Sequence, residues 1–531
     1  MQKLSTAVAA GVAALSLLAS PVQAASAAAD RRLPALKQEA MTNVRGRAKL
    51  AQEITDQLFS FGELGYQEVE TSKYLTDLLE KNGFTVERGV AGLPTGWTAR
   101  WGSGGPVIAF GSDIDGIPKA SQTPGVAYRK PMIEGAPGHG EGHNSGQAVN
   151  VVAALALKDI MTREKLPGTL VLWPGVAEEL LAGKAYMVRD GVFKGVDAVL
   201  FTHVGDNLQT AWGRPNGTGL VSVEYTFAGE SAHAGNAPWR GRSALDAVEL
   251  MDIGWNMRRE HLRPEQRSHY VITDGGDQPN VVPSTATVWY YYREIDFDHI
   301  RENFEIGNRI AEAAAMMTDT KLTRRVLGSA APRHFSRPIA EAMQANIDRV
   351  GLPQWTADEQ TFAKAVQKLV GAREEGLATK LRGLRPPADP PVSGGSDDIG
   401  DVSWTVPTVV LNYPSNIPGL PGHNWSNAIA MATPVAHKGV VAGAQVMAAT
   451  TLDLLLNPAL LASAKTYFGT VQTKDEKYVP VLTAADRPKL EQNADVMEKY
   501  RPEMRKLYYD PSRYPTYLDQ LGIKFPTLTP P

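Results

Sequence analysis

The chain has 531 residues, of which 43% are hydrophobic and 21% are charged, and its net charge is −3. This length predicts more than one domain with a sizeable core, and the balanced charge does not favour nucleic acid or an anionic membrane as a partner. There is no cysteine, so disulfides are excluded and any metal site must be built from His, Asp and Glu side chains.

The first residues have the pattern of a secretory signal peptide. An apolar run over 7–18 is followed by the small-x-small sequence Val22-Gln23-Ala24. We therefore expect a signal peptide over 1–24 and a periplasmic or secreted protein. No later stretch reaches the roughly 18 uninterrupted apolar residues of a membrane span, so no membrane anchor is expected.

Helices and strands then alternate along the chain. Helices are predicted over 36–60, 71–81, 147–161 and 185–193, and strands over 106–115, 169–180 and 197–203. A strand over 405–414 and a helix over 437–456 continue the pattern later. The alternation predicts an α/β fold with a parallel central sheet, in a domain formed by 30–214 and 336–465.

Residues 215–335 follow a different order of elements. Strands over 220–229, 268–273, 285–294 and 321–329 and helices over 242–261 and 299–317 give the order β-α-β-β-α-β. This spacing predicts a small α+β domain inserted into the larger one. Residues 466–531 are polar with many Tyr and Pro, which indicates a tail packed on the surface without chemistry of its own.

Acidic and histidine side chains collect where the predicted strands end. Asp113 and Asp115 end the first strand, Glu178 and Glu179 the second, and His203 the third. In an open parallel sheet, ligands bind in the crevice beyond the carboxyl ends of the strands. We therefore expect these side chains to face one crevice.

The glycine-rich sequence GHGEGHNSG, residues 138–146, lies between the first two of these strands. Its glycines allow Glu141 and His143 to turn toward the same crevice, where they form with Glu179 and His203 a plausible set of ligands for a divalent metal. Such a metal lowers the pKa of a bound water to about 7. Glu178 remains free to take that proton and later give it to a leaving amine.

Each of these features has an ordinary interpretation when it is taken alone. A Glu-Glu pair is usually a solvated helix start, a histidine at a strand end is more often structural, and a glycine-rich loop often faces solvent. The metal hypothesis is favoured because three strand ends and the loop deliver ligands toward one crevice.

The order of motifs resembles the M20 metallopeptidases, and in particular their amidohydrolase branch. The similarity covers roughly residues 40–460 and runs through FGSDIDGIP, GHGEGHN, WPGVAEE, FTHVGD, SAHAG, QPNVVP and GSDDIGDVSW. It implies a catalytic α/β domain with two metal ions and an inserted lid, which mediates homodimer formation.

The resemblance also assigns roles to single residues. It makes Glu178 the general base, and it makes Glu179, His203 and His423 metal ligands. On the lid, it implies that His233 helps to bind the scissile carbonyl and that Asn280 lies near the substrate.

The chain departs from this family at two positions of the glycine-rich loop. The amidohydrolase branch usually has cysteine where Glu141 stands, and the harder carboxylate favours Mn²⁺ over Zn²⁺, with Co²⁺ as a further candidate, or leaves one site weak or empty. Asn144 stands where many members have aspartate. We expect a supporting role for it and for the following acidic or polar residues near the site: Asp113, Asp115, Ser396, Asp397 and Asp398.

These features predict an exported amidohydrolase with a dinuclear metal site that cleaves N-acyl or N-aroyl amino acids, p-aminobenzoyl-glutamate foremost. One alternative is a dipeptidase or carboxypeptidase on the same fold. Another is a non-catalytic binder of metal or peptide, which Glu141 favours mildly and Glu178 opposes, because a binder needs no base.

Overall fold

The computed structural model describes residues 29–530, so the predicted signal peptide lies outside it. The strands are β1 (Thr85–Arg88), β2 (Trp97–Ser103), β3 (Val107–Asp113), β4 (Gly168–Gly175), β5 (Ala198–Gly205), β6 (Gln209–Thr210), β7 (Gly219–Ala228), β8 (Arg267–Asp274), β9 (Thr285–Glu294), β10 (Lys321–Ala330) and β11 (Thr408–Pro414).

The helices are α1 (Leu33–Arg45), α2 (Ala48–Phe61), α3 (Val69–Lys81), α4 (Gly146–Glu164), α5 (Gly183–Arg189), α6 (Ala244–Arg258), α7 (Phe297–Thr318), α8 (Arg337–Val350), α9 (Ala357–Leu369), α10 (Ile399–Ser403), α11 (Trp425–Ala428), α12 (Pro434–Leu456), α13 (Pro458–Tyr467), α14 (Ala494–Met504) and α15 (Tyr517–Gln520). The helix predicted over 36–60 is therefore two helices. The break falls at Gly46, a residue type with low helix propensity.

The large sheet has seven strands in the order β1-β2-β4-β3-β5-β11-β6. The four strands β4, β3, β5 and β11 are parallel, whereas β1, β2 and β6 pair antiparallel. The predicted parallel sheet is therefore confirmed for these four strands, and the edge strands, which were not predicted, make the sheet a mixed one. The segment between β1 and β2 is too short for the crossover that parallel neighbours need, so these two strands pair antiparallel.

The inserted region forms a second sheet of its own. Its order is β10-β7-β9-β8, all pairs are antiparallel, and α6 and α7 pack on it. The chain order of these elements is the predicted β-α-β-β-α-β, and they all lie within 215–335. We refer to this region as the lid.

The core of the catalytic domain is built on α4 and α12, which pack against each other. Both are buried on almost every side. Helix α12 is long and apolar enough to cross a membrane, but 89% of its most apolar stretch is buried inside the fold. That burial is typical of a core helix, and it explains why the sequence of α12 lacks a polar face.

The C-terminal tail is more than the surface attachment that the sequence predicts. Met497 and Met504 of α14 are buried against Leu64, and Arg501 forms an ion pair with the buried Glu63. The two methionines are seven residues apart and therefore share one face of the helix. This narrow apolar stripe docks the tail beside the end of α2.

Candidate metal centre

The glycine-rich loop between β3 and α4 turns at Gly142. This glycine has φ of +119°, and a Cβ atom there would lie 2.6 Å from the sulfur of Met431. Only glycine fits such a position without strain. The tight turn brings the flanking side chains, Glu141 and His143, into the same cluster.

The glutamate pair lies beyond strand β4 rather than at its end, which corrects the predicted strand over 169–180. The strand ends at Gly175, Ala177 is left-handed with φ of +52°, and Glu178 begins a short 3-10 turn. The amide N–H of Glu179 donates to Asp115 Oδ2 at 3.0 Å. This hydrogen bond ties the turn to the loop after β3.

Three histidines approach Glu141 from separate parts of the chain. His143 Nε2 lies 3.8 Å from Glu141 Oε2, His203 Nε2 lies 3.6 Å from Oε1, and His423 Nε2 lies 3.1 Å from Oε2. His423 Nε2 is also 3.4 Å from Glu179 Oε2. The carboxylate at 141 is thus in the position of a group shared between several imidazoles.

Backbone carbonyls fix the orientation of two of these rings. His143 Nδ1 is 3.2 Å from the carbonyl oxygen of Asp115, and His203 Nδ1 is 2.9 Å from that of Val204. A proton on each Nδ1 would make these hydrogen bonds and leave Nε2 free as a ligand atom. Both rings therefore present Nε2 to Glu141.

The donor set fits divalent metal. Ligand atoms of Glu141, His143, Glu178 and Glu179 all lie within 4.8 Å of one another. Among the described residues, His143 Nε2 and Glu179 Oε1 are buried without a hydrogen-bond partner. Leaving such atoms unpaired destabilises a fold, whereas imidazole nitrogen and carboxylate oxygen are good ligands of Zn²⁺ and similar ions.

The electrostatics of the cluster follow from burial and crowding. Burial alone would raise the pKa of Glu141, but the imidazoles of His423, His143 and His203 hold it well below its usual range. Burial and the neighbouring Glu141 raise the pKa of Glu179 well above its usual range. Two carboxylates this close therefore need a cation between them to be ionised together.

A buried lysine that the sequence analysis missed lies beside Glu178. The Lys184 ammonium is fully buried, forms ion pairs with Asp113 and Asp398, and lies 3.7 Å from Asp397 Oδ1. Burial, Asp113 and Asp397 raise the pKa of Glu178, against the effect of the lysine. A single lysine in an otherwise apolar segment was the only signal that the sequence offered.

Asn144 anchors the loop from behind. Its amide nitrogen donates to the carbonyl oxygens of Thr55 at 3.0 Å and Met431 at 2.9 Å. It therefore connects the glycine-rich loop to α2 and to the segment before α12. These two hydrogen bonds explain why asparagine stands at position 144, because an aspartate side chain could not donate them.

The cluster opens into a cavity of about 500 Å³ between the catalytic domain and the lid. The residues that line it include Glu141, Glu178, Glu179, His203, His423, Ser396 and Asp397. Arg293, Arg333 and Arg385 also line it. No sequence motif predicted these arginines, because they come from the end of β9 and from two loops that the fold brings together.

The two predicted lid residues, His233 and Asn280, lie in neighbouring hydrogen-bonded segments that are separate from the cluster. The N–H of Ala234 donates to the carbonyl oxygen of Asn280 at 3.0 Å, next to a bridge between His233 and Val281. His233 and Asn280 are both exposed. In the described chain, neither lines the cavity that holds the cluster.

Comparison with known proteins gives relatives over most of the chain. The family described as peptidase dimerisation domain matches residues 218–315. The chain is 34% identical to a p-aminobenzoyl-glutamate hydrolase component from Escherichia coli, over 77% of this chain and 90% of the relative. It is 26% identical to Xaa-Arg dipeptidase from Mus musculus, over 83% of this chain and 94% of the relative.

A solved structure has a similar fold. The aminobenzoyl-glutamate utilization protein from Klebsiella pneumoniae superimposes with a TM-score of 0.55 at 18% identity, over 77% of this chain and 97% of that chain. At this identity the similarity shows the fold alone.

Proposed function

Because the chain belongs to the M20 family of metal-dependent amide hydrolases, we propose that it hydrolyses N-acyl or N-aroyl amino acids. The substrate that we favour is p-aminobenzoyl-glutamate or a close analogue. The similarity to the Escherichia coli p-aminobenzoyl-glutamate hydrolase supports this choice.

One observation carries the proposal: the same cavity is lined by the ligand cluster and by three guanidinium groups. The guanidinium group of Arg293 donates a hydrogen bond to Ser396 Oγ at 3.0 Å, and that of Arg333 donates one to the carbonyl oxygen of Asn216 at 2.9 Å. Guanidinium groups bind carboxylates through parallel hydrogen bonds. An amide whose amine half carries carboxylates, such as an acyl glutamate, therefore suits this cavity.

We propose two divalent ions in the cluster, held by Glu141, His143, Glu179, His203 and His423. The all-His/carboxylate donor set supports Mn²⁺ ahead of Zn²⁺, because no soft thiolate is present. When bound, such ions polarise the scissile carbonyl and lower the pKa of a water molecule.

Glu178 acts as the proton carrier of the reaction. Its carboxylate takes a proton from the attacking water as the new C–O bond forms. It then gives that proton to the amide nitrogen as the C–N bond breaks, so that one water is consumed and a carboxylic acid and an amine leave. Lys184 and its aspartate partners hold the surroundings of Glu178 in place.

The second candidate function is that of a dipeptidase whose substrates end in a cationic residue. The similarity to Xaa-Arg dipeptidase supports it. The wall formed by Arg293, Arg333 and Arg385 disfavours it, because like charges repel in a partly buried cavity. The same wall favours an anionic leaving half.

We further propose that two copies pair through the lid. The edge strand β8 carries exposed Val271 (61%) and Ile272 (42%), and exposed edge strands readily pair with another chain. The match to a peptidase dimerisation domain supports this pairing. His233 and Asn280 would then act at the neighbouring copy's cluster.

The Escherichia coli hydrolase has two differently named components, and both are similar to this chain. Pairing with a different chain is therefore the alternative.

Export remains part of the proposal on the strength of the first 24 residues alone. Mass spectrometry of the mature protein should find an N-terminus near Ala25 in a periplasmic or secreted fraction. An intact Met1 in that fraction would contradict it.

A substrate panel tests the proposed activity. The protein is loaded with Mn²⁺, Zn²⁺ or Co²⁺ and supplied with p-aminobenzoyl-glutamate, acetyl-glutamate and dipeptides ending in Arg or Glu. We expect hydrolysis of the glutamate amides, and its loss on chelation. Cleavage of the Arg-ending dipeptides alone would favour the second candidate.

A further inference from the structure

A second cavity meets the first at the metal cluster. It has a volume of about 260 Å³ and shares Glu179 and His423 with the larger cavity. The rest of its wall comes from Leu64, Gly65, Gly116, Ile117, Pro118, Leu180 and Asn493. We call this second cavity the acyl chamber.

The wall of the acyl chamber differs in chemistry from that of the larger cavity. Leu64, Ile117, Pro118 and Leu180 are apolar, and no lysine or arginine of the described chain lines it. The larger cavity, in contrast, is lined by three arginines. The two cavities therefore suit groups of different polarity, and both groups reach the same pair of ligands.

An amide substrate has two halves with these properties. Its planar trans geometry sends the acyl group and the amine substituent away from the carbonyl carbon in different directions. When the carbonyl lies at the cluster, the carboxylate-bearing amine occupies the arginine-lined cavity, and the acyl group needs a separate space. An apolar cavity of about 150 Å³ is large enough to bind benzene, so the acyl chamber can hold an aromatic ring.

The C-terminal tail supplies part of this wall. Asn493 precedes α14 in a left-handed conformation, with φ of +66°, and its amide nitrogen donates to the carbonyl oxygen of Gly65 at 3.2 Å. The backbone carbonyls of Leu490 and Gln492 accept hydrogen bonds from Gln67 at 3.0 and 3.1 Å. These contacts fix the tail at the edge of the chamber.

We propose that the acyl chamber binds an apolar acyl group, preferentially an aromatic ring, and that Asn493 of the tail is a specificity-determining residue of this subsite. The inference rests on the proposed function for the identity of the reaction. It goes beyond that function in naming where the acyl half binds and which part of the chain selects it.

Asn493→Phe tests the proposal by filling the chamber. We expect kcat/KM for p-aminobenzoyl-glutamate to fall about tenfold more than kcat/KM for acetyl-glutamate, because the two substrates differ only in the acyl half. Glu498→Phe places the same side chain on the exposed face of α14 and should leave the ratio unchanged. Equal losses for both substrates with Asn493→Phe, or no loss, would overturn the assignment.

A binding measurement separates this inference from the proposed reaction. Ligand-observed NMR with 4-aminobenzoate and the Zn²⁺-loaded protein requires no turnover. We expect binding to the wild type and to Glu498→Phe, and binding at least about fivefold weaker to Asn493→Phe. If glutamate amides are not cleaved but this pattern holds, the proposed substrate is wrong and the chamber stands. If 4-aminobenzoate binds the wild type and Asn493→Phe equally, or binds neither, the chamber assignment is wrong.

Discussion

The predicted functional residues differ in exposure between the catalytic domain, where His423 alone is exposed, and the lid, where His233 and Asn280 both are. In the catalytic domain, His143 and Glu178 are 3% and 6% exposed, and their side chains converge on one point. On the lid, His233 and Asn280 face solvent. Buried polar atoms need a partner inside the protein or a ligand, whereas exposed ones are satisfied by water. We therefore expect the first group to act within one chain and the second to act against another chain.

The largest effect should come from the proton carrier in the buried group. Glu178→Gln keeps the size of the side chain but cannot accept a proton, so we expect turnover to fall by about 10² or more while metal content is retained. The matched variant Glu179→Gln should lose metal as well as activity. Steady-state kinetics and elemental analysis measure the two quantities. Near-normal turnover of Glu178→Gln, or loss of its metal, would refute the division of roles.

Metal affinity should depend on pH through two histidines of the cluster, the buried His143 and the exposed His423. Burial lowers the pKa of His143, but Asp115 and the surrounding carboxylates outweigh it and raise that pKa well above its usual range; the contact with Glu141 raises the pKa of His423. Metal must displace these protons. Affinity should therefore fall as the pH decreases through the raised pKa values, by about tenfold per pH unit for each displaced proton.

Calorimetric titration of the metal-free protein at several pH values measures this dependence. His233→Ala should give the same curve as the wild type, because the lid histidine lies outside the cluster. A metal affinity that is independent of pH would contradict the assignment of His143 and His423 as ligands.

Mixing two inactive variants tests whether the exposed His233 of the lid acts on the neighbouring copy. Glu178→Ala keeps its lid histidine, and His233→Ala keeps its base. In a dimer in which His233 acts on the neighbouring copy, a mixed pair has one working site. Random exchange makes about half of the dimers mixed, so about a quarter of wild-type activity should return. No return, with exchange shown independently by mass spectrometry, would mean that His233 acts within its own chain or not at all.

The smallest expected effect is a change of metal preference. Glu141→Cys replaces a hard carboxylate at the centre of the cluster by a soft thiolate, so the ratio of Zn²⁺ to Mn²⁺ affinity should rise severalfold. Competition titrations with both ions measure this ratio. An unchanged ratio would indicate that residue 141 does not contact the metal.

Much of the candidate site was predictable from the sequence, because the ends of parallel strands meet at one edge regardless of loop detail. Glu179 and His203 followed from this arrangement, and Glu141 and His143 from the glycines beside them. His423 did not follow in this way. It has a φ of +49° and lies in a loop, where the sequence has no periodic pattern. Only the family resemblance selected it. The order of elements in the lid followed from the spacing of its predicted strands and helices.

Features that depend on packing across the chain were not predictable. The charges around Lys184 are joined only after α5, β3 and the segment before α10 meet. The arginines of the large cavity and Asn493 of the acyl chamber likewise come from distant segments. The antiparallel edges of the main sheet depended on the length of a connection, which the alternation of elements did not reveal.

Anomalous diffraction from crystals grown with Mn²⁺ tests the central claim most directly. The account predicts two peaks about 3.5–4 Å apart, within bonding distance of Glu141, His143, Glu179, His203 and His423, with Glu178 beside them and unbound. The absence of any peak at this cluster, or a peak ligated by Asp397 and Asp398 in place of Lys184, would contradict it.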